Sequence, residues 1–248
     1  WRKGELPIRV RYNLFSLKAG EEIGDVEASL AAVRAPREDD LLRLMGLGEL
    51  MTAGMYISSS ATNPQPPSAE AKKNATDYGI WAAKRGYTLD VHAPTDMAAS
   101  AVLDVYEAVN RQVDIRPLRW RISHCESCSD KTLSRMAALG VSLLAQNALY
   151  FDTDDFTKRN TREAVRRAPP VMSAARAGIK VGAGSDATVV SPYNPFVGIR
   201  WLMTGKTLTG EATRSAEELV PRLDALRMYT INNAWMSFEE DSRGTIET

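Results

Sequence analysis

The 248-residue chain carries 31 basic and 31 acidic side chains, for a formal charge of zero, and is 44% hydrophobic and 25% charged. That balance gives no polybasic surface for nucleic acid or an anionic membrane, and it suits a globular chain with room for one α/β domain. No apolar run approaches the roughly 20 residues that span a bilayer, and Trp1-Arg-Lys-Gly-Glu lacks the apolar core of a signal peptide, so a cytoplasmic protein is expected.

In chain order, Ile8-Arg-Val-Arg-Tyr-Asn-Leu-Phe15 alternates apolar and polar residues as a strand does. Apolar residues three to four apart predict a helix over 21–33, and residues 44–52 read as a glycine-containing strand. Residues 58–67, rich in Ser, Asn and Pro, are a loop. Ser68 opens a helix that runs to about residue 85 and stops at Gly86. A strand ending at His92 leads to a helix over 96–111, and a strand ending at His124 leads to a helix over 130–139, closed by Gly140. Residues 141–146 form another strand, followed by a polar loop, a helix over 161–177 and a strand that ends at Asp186. Two terminal helices are predicted over 195–204 and 216–235.

Six β-α units of this kind imply a parallel sheet with helices outside it. A dinucleotide-binding sheet would carry a glycine-rich turn after its first strand, and none is present. Polar residues finish four strands rather than lining one crevice, which favours a TIM-type (β/α) barrel. Such a barrel needs about eight strands, so two are expected to be absent from the front, and 1–248 is read as one partial barrel domain.

Only two histidines occur, and both stand at the downstream end of an apolar run: His92 in Tyr87-Thr-Leu-Asp-Val-His-Ala and His124 in Arg119-Trp-Arg-Ile-Ser-His-Cys. Asp186 ends Ile179-Lys-Val-Gly-Ala-Gly-Ser-Asp. Two imidazoles and a carboxylate, each at the end of its own strand, match the ligand layout of a catalytic metal site at the mouth of a parallel barrel.

Val91-His-Ala, Arg121-Ile-Ser-His-Cys and Gly184-Ser-Asp-Ala resemble the last three metal-strand motifs of the amidohydrolase superfamily. The closer resemblance is to its large branch that includes N-substituted formamide deformylases. Arg135-Met-Ala-Ala-Leu-Gly-Val, Gln146-Asn, Ser191-Pro-Tyr-Asn-Pro and Tyr229-Thr-Ile-Asn-Asn-Ala are similar to that branch too, in the same order. The resemblance implies that His92 and His124 ligate a divalent metal, zinc by preference, and that one or two ions are held in a complete protein. It implies that Asp186 touches both metal and water and serves as general base for attack on the carbonyl of an amide-type, non-peptide C–N bond. The family's first-strand His-x-His pair has no counterpart here. Where many relatives place a bridging lysine, this chain reads Gly46-Leu-Gly-Glu-Leu, so Glu49 is either a metal-bridging carboxylate or an exposed, ion-paired side chain.

Other pieces are weaker. Thr204-Gly-Lys-Thr lacks the glycine and strand of a phosphate loop, Cys125 and Cys128 read as a buried pair rather than half a zinc site, and Asn74-Ala-Thr is an isolated sequon. Arg119 and Arg121 are surface charges by preference or else substrate contacts, while Asp90 either orients a ligand or substrate or joins an ion pair inside the barrel. The expected partner is a small amide-type molecule, with no nucleic acid and no membrane; self-association is left open. The competing readings are a fragment or homologue that keeps the fold without the chemistry, and a small-molecule binding α/β module whose histidines are structural.

Overall fold

Six strands run parallel and lie side by side in chain order in the computed structural model, which describes residues 7–32, 40–58, 64–188 and 190–246. They are β1 (Val10–Leu14), β2 (Leu42–Glu49), β3 (Thr88–Ala93), β4 (Arg121–His124), β5 (Ser142–Gln146) and β6 (Val181–Gly184). The helices are α1 (Glu22–Ala32), α2 (Ala69–Lys84), α3 (Asp96–Asn110), α4 (Asp130–Leu139), α5 (Thr153–Arg159), α6 (Arg162–Arg167), α7 (Val171–Arg176), α8 (Pro195–Thr204), α9 (Arg222–Tyr229) and α10 (Ile231–Met236). An unbroken sequential order is that of a barrel wall, whereas a doubly wound sheet reverses direction part-way. Among the described residues β1 and β6 are edge strands, each paired on one side. No helix of the described residues is long and apolar enough to cross a membrane.

The helix boundaries follow local chemistry. Ser68, Thr95, Ser129 and Thr161 each accept a backbone N–H of the first turn that follows, so orphan donors at four helix starts are satisfied. Gly140 closes α4 and Gly205 closes α8 with left-handed φ of 67° and 64°. The Gly-Lys-Thr stretch is therefore a helix end and not a phosphate loop. Three expectations change. The helix over 161–177 is two helices, α6 and α7, because Pro169 and Pro170 cannot continue the hydrogen-bond ladder. Pro221 likewise begins a new element, so 216–235 becomes a 3₁₀ turn followed by α9 and α10. The polar stretch after β5 contains α5, too short to show a period in sequence. Residues 1–6, Val33 at the end of the first predicted helix, and 59–63 of the Ser/Asn/Pro loop lie outside the described residues.

The two faces of the sheet differ chemically. Val91, Ile122 and Leu143 pack into the apolar core beneath α3 and α4, where Trp120 donates its indole N–H to the Tyr87 carbonyl at 2.9 Å. The opposite face is polar. The pairing Asp90↔Arg121 sets these two side by side, and the guanidinium meets the carboxylate at 3.0 Å. Ser123 donates its hydroxyl to the same carboxylate, and Arg121 donates to the Met236 carbonyl of α10 at 2.9 Å. Arg121 is 6% exposed, which corrects its reading as a surface charge: alternation identifies residues sharing a face, but not which face is covered. Asp90 belongs to an interior ion pair. Arg119 instead pairs with Glu240 at 2.7 Å and lies over the Trp235 and Phe238 rings.

Removing one member of a buried, hydrogen-bonded pair strands the other charge. Arg121→Met should destabilise the fold by about 3–5 kcal/mol, and adding Asp90→Asn should recover much of that loss. Urea unfolding of the three proteins checks this; equal stability of the single variant and the native chain would contradict it.

Candidate metal centre

Three strand ends deliver their side chains to one point. Glu49 is the last residue of β2, His92 the fifth of β3, and His124 the last of β4. The Glu49 Oε1 atom lies 2.7 Å from His92 Nδ1 and 2.8 Å from His124 Nε2. One ligand atom from each of the three lies within 4.8 Å of the others, and the imidazole rings meet edge-on with centroids 4.2 Å apart.

Strand alternation alone would not produce this. The register pairs His92 with Ser123, so those two share the polar face, and His124 should turn to the helix side with Ala93. His124 and Cys125 take φ of 77° and 50°, a left-handed conformation uncommon for residues with a Cβ, and the ring swings toward His92. On β2 the equivalent device is Gly48, at φ 126°. A Cβ there would come within 1.8 Å of the Asp90 carbonyl, so only glycine allows the close approach of backbones that presents Glu49. Unusual φ values gathered at strand ends are typical of functional sites.

Electrostatics reinforce the convergence. The hydrogen bond to His124, then that to His92, holds the Glu49 carboxyl far below the usual carboxylate range, against the effect of partial burial. His124 is buried, which opposes its charge, but the Glu49 hydrogen bond and the charges of Glu126, Glu49 and Asp186 outweigh burial and raise its pKa. His92 Nε2 is buried and has no hydrogen-bond partner, although the Tyr56 ring lies 5.2 Å away. Two imidazole nitrogens and a carboxylate oxygen pointing at a common centre are a donor set that fits a divalent cation such as zinc.

Asp186 follows β6 and is exposed, with φ of 54°. It stands outside the three-residue group, though its charge reaches His124. Three nearby residues escaped notice as site members in the sequence. Tyr56 lies on the loop after β2, and Glu126, raised mainly by burial, lies two residues past His124. Gln146 ends β5, and its Nε2 comes within 3.4 Å of His124 Nε2. Its strand-end position was the available signal. Cys125 and Cys128 are both buried and are joined as a disulfide.

The model of the amidohydrolase family matches residues 2–248. The chain belongs to the amidohydrolase family. It is 32% identical over 179 residues to an N-substituted formamide deformylase from Arthrobacter pascens, which covers 71% of this chain and 32% of that enzyme. A putative amidohydrolase from Bacillus subtilis is 25% identical over 170 residues, covering 66% of the chain and 31% of that protein. Among solved structures, an uncharacterized metal-dependent hydrolase from Pyrococcus horikoshii superposes with a TM-score of 0.70 at 22% identity, over 99% of this chain and 49% of the other. Atrazine chlorohydrolase from Arthrobacter aurescens, complexed with zinc, gives 0.63 at 17% identity, over 98% and 52%. These two structures show the fold, and this member of the family spans only about a third to a half of the relatives it matches. The sheet is thus a parallel part-barrel of the amidohydrolase fold.

In the metal-free chain, His124 should titrate above the ordinary imidazole value of about 6.5. Glu49→Gln removes the carboxylate that favours the imidazolium and leaves the burial that opposes it, so this pKa should fall. Histidine NMR titration of both proteins reads the shift, and an unchanged His124 would contradict the assignment of Glu49 as its dominant partner.

Proposed function

We propose that the amidohydrolase chain supplies part of a metal-dependent hydrolase for an amide-type, non-peptide C–N bond. The convergence of Glu49 Oε1, His92 Nδ1 and His124 Nε2 in a family of hydrolases carries the reading. His92 and His124 would hold a divalent cation, zinc by preference, with Glu49 as the carboxylate between them. Such an ion supplies Lewis acidity, which brings the pKa of a water from about 15.7 to near 7. The residues divide the remaining work. Asp186, exposed at the rim beyond β6, takes a proton from the attacking water and returns it to the leaving amine. The ion pair of Asp90 with Arg121 and the Ser123 hydroxyl fix β3 against β4, and with it the spacing of the two imidazoles. Gly48 keeps Glu49 in place beside them.

The open edges at β1 and β6 support a second element of the proposal: strands three to eight of an eight-strand barrel are present, and two strands with the His-x-His pair precede them in the complete protein. The relatives' greater length points the same way. A second ion would depend on that pair, and Asp186 would then be better oriented.

Zinc titration of the chain followed by exhaustive dialysis and metal analysis should leave one equivalent, and His92→Ala or His124→Ala should abolish retention. Affinity should rise with pH through the raised pKa of His124, because the metal needs the neutral imidazole and displaces its proton. In a form that hydrolyses N-formyl- or N-acylamines, Asp186→Asn should lower kcat by about 10²–10⁴. Full activity of that variant would remove Asp186 as base, and a native chain retaining no zinc would overturn the metal-dependent reading.

A further inference from the structure

The turn that follows His124 is closed on itself by two sulfurs. Cys125 and Cys128, three positions apart, are joined with their Cα atoms 5.4 Å from each other, and both side chains belong to the apolar core. Each end of this turn is tied to the frame of the histidine cluster. Cys125 donates its backbone N–H to the Ala93 carbonyl at 3.2 Å, and Glu126 donates to the Pro94 carbonyl at 2.8 Å. Ala93 directly follows His92 and Cys125 directly follows His124, so one short covalent ring borders both imidazoles. At the far end Ser129 caps α4 and donates its N–H to the Asp96 carboxylate at 2.7 Å. His124 and Cys125 carry the left-handed φ of 77° and 50° that turn the His124 ring, and the cross-link begins at the second of them. Access to the two sulfurs differs. Cys125 is fully enclosed, whereas Cys128 lines a cavity of about 190 Å³ with Ser127, Arg167 and the exposed Thr161 and Glu163. Bonded sulfurs sit about 2 Å apart, and two thiols approach no closer than van der Waals contact, so reduction drives the pair apart. Close-packed surroundings pass such a displacement to the backbone.

We propose that Cys125 and Cys128 are a reversible redox site, opened by a small dithiol at Cys128, whose oxidation state sets the geometry of the histidine cluster and its hold on a divalent cation. The effect on the cation rests on the metal-dependent reading above, while the sulfur chemistry stands apart from it. A thiolate of the dithiol attacks the Cys128 sulfur, the Cys125–Cys128 bond breaks, and Cys125 departs with the electron pair and takes up a proton. The second thiol of the reagent then attacks its own first sulfur and releases Cys128 as a thiol. The chain gains two electrons and two protons, and the dithiol is oxidised to a cyclic disulfide. An oxidised dithiol reverses these steps. In the oxidised chain the turn is pinned and His124 stands preorganised beside His92. In the reduced chain the cation itself has to order that conformation, which weakens its binding.

Graded mixtures of reduced and oxidised dithiothreitol, applied to the folded native chain and quenched with iodoacetamide, read the chemistry by mass. One step from zero to two alkylated cysteines is expected, with the far-ultraviolet circular dichroism retained. Cys125→Ser should take up a mixed disulfide from 2-hydroxyethyl disulfide at Cys128, whereas Cys128→Ser should stay unmodified at Cys125. At fixed pH and without metal, the ring signals of His92 and His124 should shift between the oxidised and reduced native chain. Zinc, freed of dithiothreitol, should bind the oxidised chain about tenfold or more tightly than the reduced one. The double variant Cys125→Ala, Cys128→Ala has no thiol to capture zinc and should bind it as weakly as the reduced chain. Two free thiols in every mixture, a bond that yields only on unfolding, or histidine signals and zinc affinity indifferent to oxidation state would overturn the proposal. If neither form retains zinc, the metal-dependent reading falls, and the histidine shifts alone decide whether the sulfurs act on the cluster.

Discussion

A single carboxylate oxygen shared by two imidazoles is the constraint on which the site depends. Glu49 Oε1 sits within 2.8 Å of a nitrogen from each histidine, and the arrangement is stable only if protons or a cation stand between them. Without a metal, the raised pKa of His124 and the depressed one of Glu49 are the electrostatic signature of that requirement. With the metal proposed above, the same three atoms would become ligands and the proton would leave. The geometry thus links protonation and metal binding at one point.

The rest of the fold serves to bring three strand ends there. Parallel order places β2, β3 and β4 side by side, and the Asp90, Arg121 and Ser123 cluster ties β3 to β4 just below the two histidines. A one-residue slip would turn that cluster toward the helices and leave charges in an apolar layer, so register is strongly specified. Local departures from strand geometry at Gly48 and His124 then bring Glu49 and His124 toward His92. Regular pairing gives the frame, and these irregular residues give the site.

Much of this was legible in the sequence because position carries chemistry in a parallel barrel. His124 and Glu49 end their strands and His92 stands one residue from the end of its own, and strand ends meet at one mouth. What the sequence concealed was depth. Arg121 looked like a surface charge because period-two alternation cannot say that both faces of a strand are covered. Asp186 was legible as a strand-end carboxylate, but its position at the rim, outside the group of three, depends on how the chain turns after β6. Gln146 was visible only as part of a family-like segment, since an amide announces no charge; its closeness to His124 becomes apparent only in three dimensions. The breaks at Pro169 and Pro221 were available in the sequence, whereas the seven-residue α5 was masked by its polar composition.

The proposed binding of one divalent ion by Glu49, His92 and His124 is open to crystallographic test. Anomalous diffraction at the zinc absorption edge, from crystals of the zinc-loaded chain, tests it most directly. One dominant peak should lie about 2.0–2.2 Å from His92 Nδ1, His124 Nε2 and a Glu49 carboxylate oxygen. A peak bound elsewhere, or no peak within coordinating distance of both histidines, would contradict it.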